Sequence, residues 1–198
     1  MNDDVAIATD PAPQASPLTE RVRLVTELGA VAIEVYLDRA PISAAAFLRC
    51  VEGGAYAGAS FFRTVRADND RGAPPIEVVQ AAVADMSKAH PGVPHETTMK
   101  TGIRHVDGTV SLARTAVGTG TSATFFICIG DQPALDFGTT RNEDGQGFAA
   151  FGRVVEGMEI VRAIHGAPTQ PDAPVAYLEG QLIRDPVMIL SAQRVGSN

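Results

Sequence analysis

Residues 147–158 have the sequence GFAAFGRVVEGM, in which a predicted strand runs directly into a predicted helix. The mostly apolar run at residues 149–154 predicts a short β-strand. From residue 158 to residue 164 the apolar residues recur at helical spacing, which predicts an α-helix. The stretch therefore combines one of the predicted strands with one of the two predicted helices.

Short strands also recur on either side of this stretch. Residues 21–27 and 31–36 alternate around Leu28-Gly29-Ala30, which predicts a β-hairpin. Further strands are predicted at residues 60–65, 76–81, 109–113, 125–129 and 187–195. Many short strands, two helices and Gly- and Pro-rich connections predict a mainly β fold, a closed antiparallel barrel with α-helices over its open ends.

The first of the two helices is predicted over residues 41–52, where apolar residues fall on one face. Ser43 is predicted to cap the start of this helix. Gly53-Gly54 is predicted to end it.

The composition indicates one folded domain. Of the 198 residues, 45% are hydrophobic and 20% are charged, which is enough to bury a core. The 16 basic and 23 acidic residues give a net charge of −7, which argues against nucleic acid or an anionic membrane as a partner. No run approaches the ~18 apolar residues of a membrane span. We expect a monomer.

Residues 1–20 differ from the rest of the chain, since they contain three prolines, four acidic residues and no basic residue. They are predicted to form a disordered leader before a folded domain at residues 21–198. A secretory signal needs a basic start and an apolar segment of ~7–15 residues, and neither is present. We therefore expect a cytoplasmic protein, or a periplasmic one if a signal peptide has been removed.

Arg63 and Gln80 are polar residues on predicted strands that otherwise carry apolar side chains. On a regular strand Phe61 and Arg63 share one face, while Phe62 points to the other face. Val78 and Gln80 share a face for the same reason. Adjacent strands would bring an arginine, an amide and apolar side chains together on one surface. Spacing alone favours the simpler interpretation, in which Arg63 is an edge-strand charge and Gln80 a rim amide.

Five motifs follow one another along the chain. They are Phe61-Phe62-Arg63, Gln80, GTVSLART at 108–115, Phe125-Phe126-Ile127 and FGRVVEGM at 151–158. From about Val22 to Val195 this order resembles the cyclophilin-type peptidyl-prolyl cis-trans isomerases, especially the bacterial members. The resemblance implies an eight-stranded barrel capped by two α-helices, with a substrate groove on the outer surface of the sheet. It implies no cofactor and no metal.

The resemblance also implies roles for particular residues. Arg63 is the catalytic arginine, and Gln80 binds the substrate backbone and helps to fix Arg63. The other implied substrate-binding residues are Phe126, Val78 and Leu135 in the proline pocket, Phe151 in its wall or floor, and Ala113, Arg114, Thr124 and Phe148 along the groove. Residues 115–123 are interpreted as the flexible rim of the groove.

These residue types suit the isomerisation of X-Pro bonds. Amide resonance sets a rotation barrier of ~18–20 kcal/mol, and no group has to be attacked or protonated outright. A donor that meets the prolyl nitrogen or the carbonyl oxygen favours the twisted state over the planar ones. Arg63 suits this task because its guanidinium is always charged and rigid. The expected partners are proline-containing peptides and unfolded proteins.

A proline-binding chaperone or scaffold with weak or no catalysis is the alternative. It depends on departures from the family pattern at Glu77, Ala81, Ala82 and Thr124. Both hypotheses include a peptide groove, but only an enzyme accelerates isomerisation at catalytic concentration. A barrel that holds a small ligand inside is disfavoured, since side chains fill a barrel of this size.

Histidines and cysteines offer other chemistry. The loop at residues 88–107 contains candidate metal ligands, which are His90, His95 with Glu96, and His105. That loop lacks the spacing of a structural metal site and is interpreted as solvated. Cys50 and Cys128 are interpreted as small packing residues.

Overall fold

The strands of the chain form one closed sheet. The computed structural model describes residues 18–88 and 91–196. Its strands are β1 (Thr19–Thr26), β2 (Gly29–Tyr36), β3 (Ser60–Val65), β4 (Val78–Ala82), β5 (Thr109–Leu112), β6 (Thr124–Cys128), β7 (Ala149–Glu156) and β8 (Leu182–Val195). They follow the order β1-β2-β7-β5-β6-β4-β3-β8, and β8 pairs with β1 to close the barrel. The predicted mainly β, closed, eight-stranded antiparallel barrel is confirmed.

The first and last strands begin earlier in the chain than predicted. Thr19 and Glu20, predicted as part of the leader, belong to β1 because they pair with Tyr36 and Val35 of β2. β8 begins before the predicted residue 187. The first 17 residues of the predicted leader lie outside the described residues, and so does His90.

Both predicted helices are present, at α1 (Pro41–Glu52) and α3 (Met158–His165), and a single turn, α2 (Thr98–Thr101), lies between them in sequence. α1 packs on β2, β7 and β8, whereas α3 packs on β2, β3 and β4. Gly53 ends α1, as predicted. Within the described residues, no helix has the length and apolar character needed to cross a membrane.

The start of α1 is capped by a residue from a distant loop. The predicted Ser43 cap is wrong, because the N-cap position is Ala40 and Ser43 lies buried in the first turn. One carboxylate oxygen of Glu96 accepts the Ile42 N–H at 3.2 Å. The other accepts both the N–H and the hydroxyl of Ser43, each at 2.7 Å. Glu96 therefore supplies the acceptors that the first turn of a helix lacks.

Aromatic side chains fill the interior of the barrel. The Phe47 ring from α1 lies 5.0 Å from the Phe151 ring and 5.5 Å from the Phe125 ring, centroid to centroid. Phe61 also packs on Phe125, at 6.0 Å. All four side chains are completely buried. Since side chains fill this space, a ligand site has to lie on the outside of the sheet.

A second, smaller apolar cluster lies on that outer side. Side chains alternate between the faces of a strand, so Phe125 and Ile127 of β6 enter the interior while Phe126 and Cys128 belong to the outer cluster. Val78 of β4 joins them. This cluster forms the base of the candidate site.

Candidate active site

A cleft of about 370 Å³ lies over the outer apolar cluster. Nine of the ten predicted site residues line it: Arg63, Val78, Gln80, Ala113, Arg114, Thr124, Phe126, Leu135 and Phe148. Further lining comes from Ile76, Met86, Thr115, Thr119, Thr121 and Tyr177. The interpretation of residues 115–123 as a rim of the groove agrees with the three threonines in this set.

The floor of the cleft is apolar. Phe126 is 5% exposed, and the neighbouring Val78 and Leu135 are buried as well. The Phe148 ring stands perpendicular to the Phe126 ring, with centroids 5.3 Å apart. A 3-10 turn at Pro133–Leu135 places Leu135 beside them. Such a surface can hold an apolar ring like that of proline.

A β-bulge places Arg63 at the cleft. Phe61 pairs with Ala81 of β4 and Arg63 pairs with Gln80, so Phe62 is an extra residue in β3. The expectation that Phe61 and Arg63 share a face is therefore wrong, because a bulge reverses the alternation. Phe61 enters the barrel interior and Arg63 turns outward. Val78 and Gln80 do share a face, as predicted.

Two amide oxygens hold the Arg63 guanidinium. Its Nη1 donates to Gln80 Oε1 at 2.9 Å. Its Nε and Nη2 both donate to Gln181 Oε1, at 2.9 and 2.6 Å. A guanidinium has five N–H groups, so two remain after these three bonds. Within residues 18–88 and 91–196 no other hydrogen bond of this guanidinium is formed, which leaves those two available to a substrate.

The positive charge of Arg63 is not cancelled by an acidic partner. None of the ion pairs among the described residues includes Arg63; nearby, Asp70 pairs instead with Arg141, at 2.8 Å. The Tyr177 ring centroid lies 5.7 Å from Arg63 Cζ. At this distance the face of the ring stabilises the positive charge of the guanidinium. Burial lowers the pKa of Arg63 from its usual value. A guanidinium nevertheless stays charged at neutral pH, because its usual pKa exceeds about 12.

Arg114 has a different environment, although it also lines the cleft. Its guanidinium forms a two-point ion pair with the Asp144 carboxylate at 2.7 and 2.8 Å, and its Nε donates to the Gly147 carbonyl at 2.8 Å. The hydrogen bonds from Arg114 hold the pKa of Asp144 down to about 2. Arg114 also stacks over Phe148, at 5.3 Å. It therefore supports the cleft wall rather than offering a free charge.

The backbone of Ala113 is partly used within the protein. Its N–H donates to the Thr124 carbonyl at 3.0 Å. An extended peptide in the cleft would therefore pair with the Ala113 carbonyl rather than with its N–H.

Phe151 does not line the cleft, which corrects the prediction for this residue. β7 points it into the barrel, where it is fully buried against Phe47 of α1. The resemblance implied a wall or floor role, but the cleft wall at this side comes from Phe148. Phe151 contributes to the core.

His105 lies directly behind the cleft, although its loop was interpreted as solvated. It is 1% exposed and stacks on Phe126, with centroids 6.0 Å apart. Its Nδ1 is 2.9 Å from Asp136 Oδ1 and its Nε2 is 3.1 Å from Ser111 Oγ. Burial lowers the pKa of His105, against the opposing effect of Asp136. The interpretation was wrong here because Asp136, the carboxylate that pairs with the buried ring, lies 31 residues further along the chain.

The other candidate metal ligands do not converge. His95 Nε2 lies 3.1 Å from the Gln146 carbonyl oxygen, while Glu96 caps α1. In the described part of the chain, no three His, Cys, Asp or Glu side chains are grouped to hold a metal ion. Cys50 and Cys128 are free and buried in separate clusters, as expected for packing residues.

Outside the predicted rim at residues 115–123, sequence reasoning missed three residues that line the cleft, Ile76, Met86 and Tyr177, and one that holds Arg63, Gln181. Ile76 could have been found, because alternation along one strand places residues 76, 78 and 80 on the same side. Gln181 and Tyr177 carry no such signal. They lie in a connection before β8, and only the tertiary fold brings that connection to Arg63.

Comparison with known proteins agrees with this geometry. The sequence model of the family described as "Cyclophilin type peptidyl-prolyl cis-trans isomerase/CLD" matches residues 21–192. A peptidyl-prolyl cis-trans isomerase of Streptomyces antibioticus is 31% identical, over 88% of this chain and 98% of that protein. Peptidyl-prolyl cis-trans isomerase A of Dickeya dadantii is 30% identical, over 90% of this chain and 86% of that protein.

A solved structure shows the same fold. A cyclophilin-type isomerase of Cryptosporidium parvum, crystallised in the presence of the dipeptide Ala-Pro, superimposes with a TM-score of 0.67. The two chains are 17% identical, and the match covers 90% of this chain and 99% of the other. The class that these features define is a closed antiparallel β-barrel with a cleft on the outer face of its sheet. The chain belongs to the cyclophilin-type peptidyl-prolyl cis-trans isomerases.

Proposed function

We propose that the protein accelerates cis–trans isomerisation of X-Pro bonds in peptides and folding proteins, with Arg63 as the catalytic residue. The observation that carries this proposal is a charged guanidinium that two neutral amides hold beside an apolar cleft. The Ala-Pro dipeptide named for the Cryptosporidium parvum structure supports a proline-containing ligand.

The arrangement favours the transition state electrostatically. Phe126, Val78 and Leu135 hold the proline ring while Arg63 presents its remaining N–H groups to the X-Pro amide. As the C–N bond twists, the prolyl nitrogen regains a lone pair, and a fixed charged donor stabilises that state more than either planar one. Because the guanidinium is already bonded to Gln80 and Gln181, little reorganisation is needed when the bond turns.

A proline-binding chaperone or scaffold remains the rival. The departure at Glu77 does not reach the cleft, because Glu77 does not line it and Ile76 supplies apolar surface there. Ala81 likewise belongs to the barrel interior. Thr124 does line the cleft and is the departure that bears on substrate contact.

Replacement of Arg63 by alanine tests the catalytic role. We expect Arg63→Ala to lower turnover by about 10²–10³, since loss of one transition-state donor costs about 2.7–4 kcal/mol. NMR exchange spectroscopy on a short blocked X-Pro peptide measures this at catalytic protein concentration. The control is Arg184→Ala, an exposed arginine outside the cleft. A folded Arg63→Ala protein with near-normal turnover would contradict the proposal, and peptide binding without turnover in the wild type would favour the rival.

We further propose that the protein is a monomer. A closed barrel has no free sheet edge to pair with another chain, which supports a monomer. Light scattering coupled to size exclusion tests it. We also propose a cytoplasmic location. Cell fractionation would distinguish this from the periplasm.

A further inference from the structure

The segment at residues 176–181 contacts Arg63 twice, although it carries none of the motifs of the family pattern quoted above. Gln181 Oε1 accepts from both Nε and Nη2 of Arg63. Tyr177, four residues earlier, places its ring 5.7 Å from the guanidinium carbon. One edge and one face of the guanidinium are therefore covered by a connection between α3 and β8.

Gln181 is itself held firmly. It is 1% exposed, its N–H donates to the Leu178 carbonyl, and its carbonyl accepts the Thr64 N–H, both at 2.9 Å. Its side-chain Nε2 donates to the Asn69 carbonyl at 2.8 Å. That bond fixes the orientation of the amide, because the nitrogen must face a carbonyl and the oxygen must then face Arg63.

Gln80 and Gln181 hold the guanidinium from two sides. Gln80 takes Nη1, and Gln181 takes the Nε and Nη2 edge. One amide alone would leave the guanidinium free to rotate about its single contact. Two acceptors on different nitrogens fix its plane, so the two unused N–H groups point in a constant direction.

We infer that Gln181 is a positioning residue for isomerisation, which orients the Arg63 guanidinium toward the X-Pro amide without cancelling its charge. The inference rests on the proposed function. Preorganised donors lower a barrier more than mobile ones, because no reorganisation accompanies the reaction. A carboxylate at this position would hold the guanidinium equally well but would also neutralise it.

Two substitutions of Gln181 distinguish the orientation of the Arg63 guanidinium from the neutralisation of its charge. Gln181→Met keeps the length of the side chain and removes the acceptor, whereas Gln181→Glu keeps an acceptor and adds a negative charge. The matched control is Gln193→Glu, the same substitution at an exposed position of β8. The measurements are kcat by NMR exchange, Kd of the same peptide by titration, and the NMR signal of the Arg63 Nε–H group, assigned with Arg63→Lys.

We expect the wild type to show an Arg63 Nε–H signal that exchanges slowly with water. Gln181→Met should lose this protection and lower kcat by about tenfold or more, the effect of one hydrogen bond to a charged group. Gln181→Glu should keep the protection and still lower kcat. Both variants should bind the peptide with Kd within about threefold of the wild type, because the apolar floor supplies most of the binding. Gln193→Glu should match the wild type.

Three results would overturn the inference. They are a folded Gln181 variant with kcat within about twofold of the wild type, parallel losses of kcat and peptide affinity, and a wild-type Nε–H group that exchanges freely. The wild-type signal decides the matter even where a variant does not fold. An inactive wild type would overturn the proposed function itself, whereas an active wild type with an active Gln181→Met would overturn only the role of Gln181.

Discussion

Two arginines of the cleft show how the partners of a residue determine its role. Arg114 pairs with the Asp144 carboxylate at two points, so its charge is cancelled and its side chain is 1% exposed. Arg63 is bonded only to amide oxygens within the described residues, so its charge is retained. The residue type is the same in both cases. The neutral partners make Arg63 the group that can act on a substrate.

Turnover should be nearly independent of pH between about 6 and 8. Arg63 stays charged throughout this range, and Phe126, Val78 and Leu135 do not titrate. His105 lies behind Phe126, but burial lowers its pKa, which disfavours its protonated form. The measurement is the NMR exchange rate of a blocked X-Pro peptide across this range, with and without EDTA.

A histidine acting as a general base would instead give an inflection near ~6.5. Such a sigmoid would contradict the assignment of the electrostatic role to Arg63. A loss of rate with EDTA would show that a metal takes part, and His90, His95 and His105 would then be its first candidates.

Among the individual site residues, the sequence predicted those whose position depends on the alternation of side chains along a strand. Val78, Gln80 and Phe126 follow from strand periodicity and the quoted motifs, and all three line the cleft. Phe151 was misplaced because position in a motif does not reveal which face of β7 it occupies. Gln181 was missed because its contact with Arg63 joins segments 118 residues apart.

The elements show the same division between local and distant causes. The hairpin of β1 and β2 and the span of α1 were predicted because alternation, helical spacing and glycine ends are local signals. The bulge in β3 was not predicted, since it is defined by pairing with β4 and β8. The cap of α1 was misassigned to Ser43 because Glu96, which accepts from the first turn, lies 53 residues further along the chain.

Loss of the Glu96 carboxylate should destabilise the protein through α1. Glu96→Gln keeps the size of the side chain but offers one acceptor oxygen in place of two, so at least one N–H group of the first turn loses its partner. We expect the free energy of unfolding to fall by about 1–3 kcal/mol. Urea denaturation measures this change.

Turnover of the folded Glu96→Gln protein should stay near that of the wild type, because Glu96 does not line the cleft. The matched control is Glu143→Gln at an exposed loop position, which should change stability by no more than about 0.5 kcal/mol. An unchanged urea midpoint in Glu96→Gln would show that the Glu96 cap contributes nothing to α1.

In the whole molecule, the residues of the main hydrophobic core lie inside the barrel, whereas the cleft lies on the outside. The interior aromatic cluster joins α1 to the sheet, while the cleft uses the outer face of β4 and β6. His105 stacks on Phe126 of the cleft floor and is bonded in turn to Asp136. Asp136 also accepts the His105 N–H at 3.1 Å and pairs with Arg104. Protonation of this buried pair therefore affects folding as a whole.

The free energy of unfolding should fall as the pH is lowered from about 6.5 toward 5. The folded protein holds the pKa of His105 below its unfolded value near 6.5. In this window the unfolded chain binds a proton that the folded protein does not, so stability decreases with falling pH, by at most about 1.4 kcal/mol per pH unit for one group. The lowered pKa of Asp136 acts in the same direction only at more acidic pH. Urea denaturation at several pH values should show this slope in the wild type and in His95→Gln, where a half-buried histidine is replaced, and a flatter slope in His105→Gln. Equal slopes in wild type and His105→Gln would mean that His105 is protonated as readily in the folded protein as in the unfolded chain.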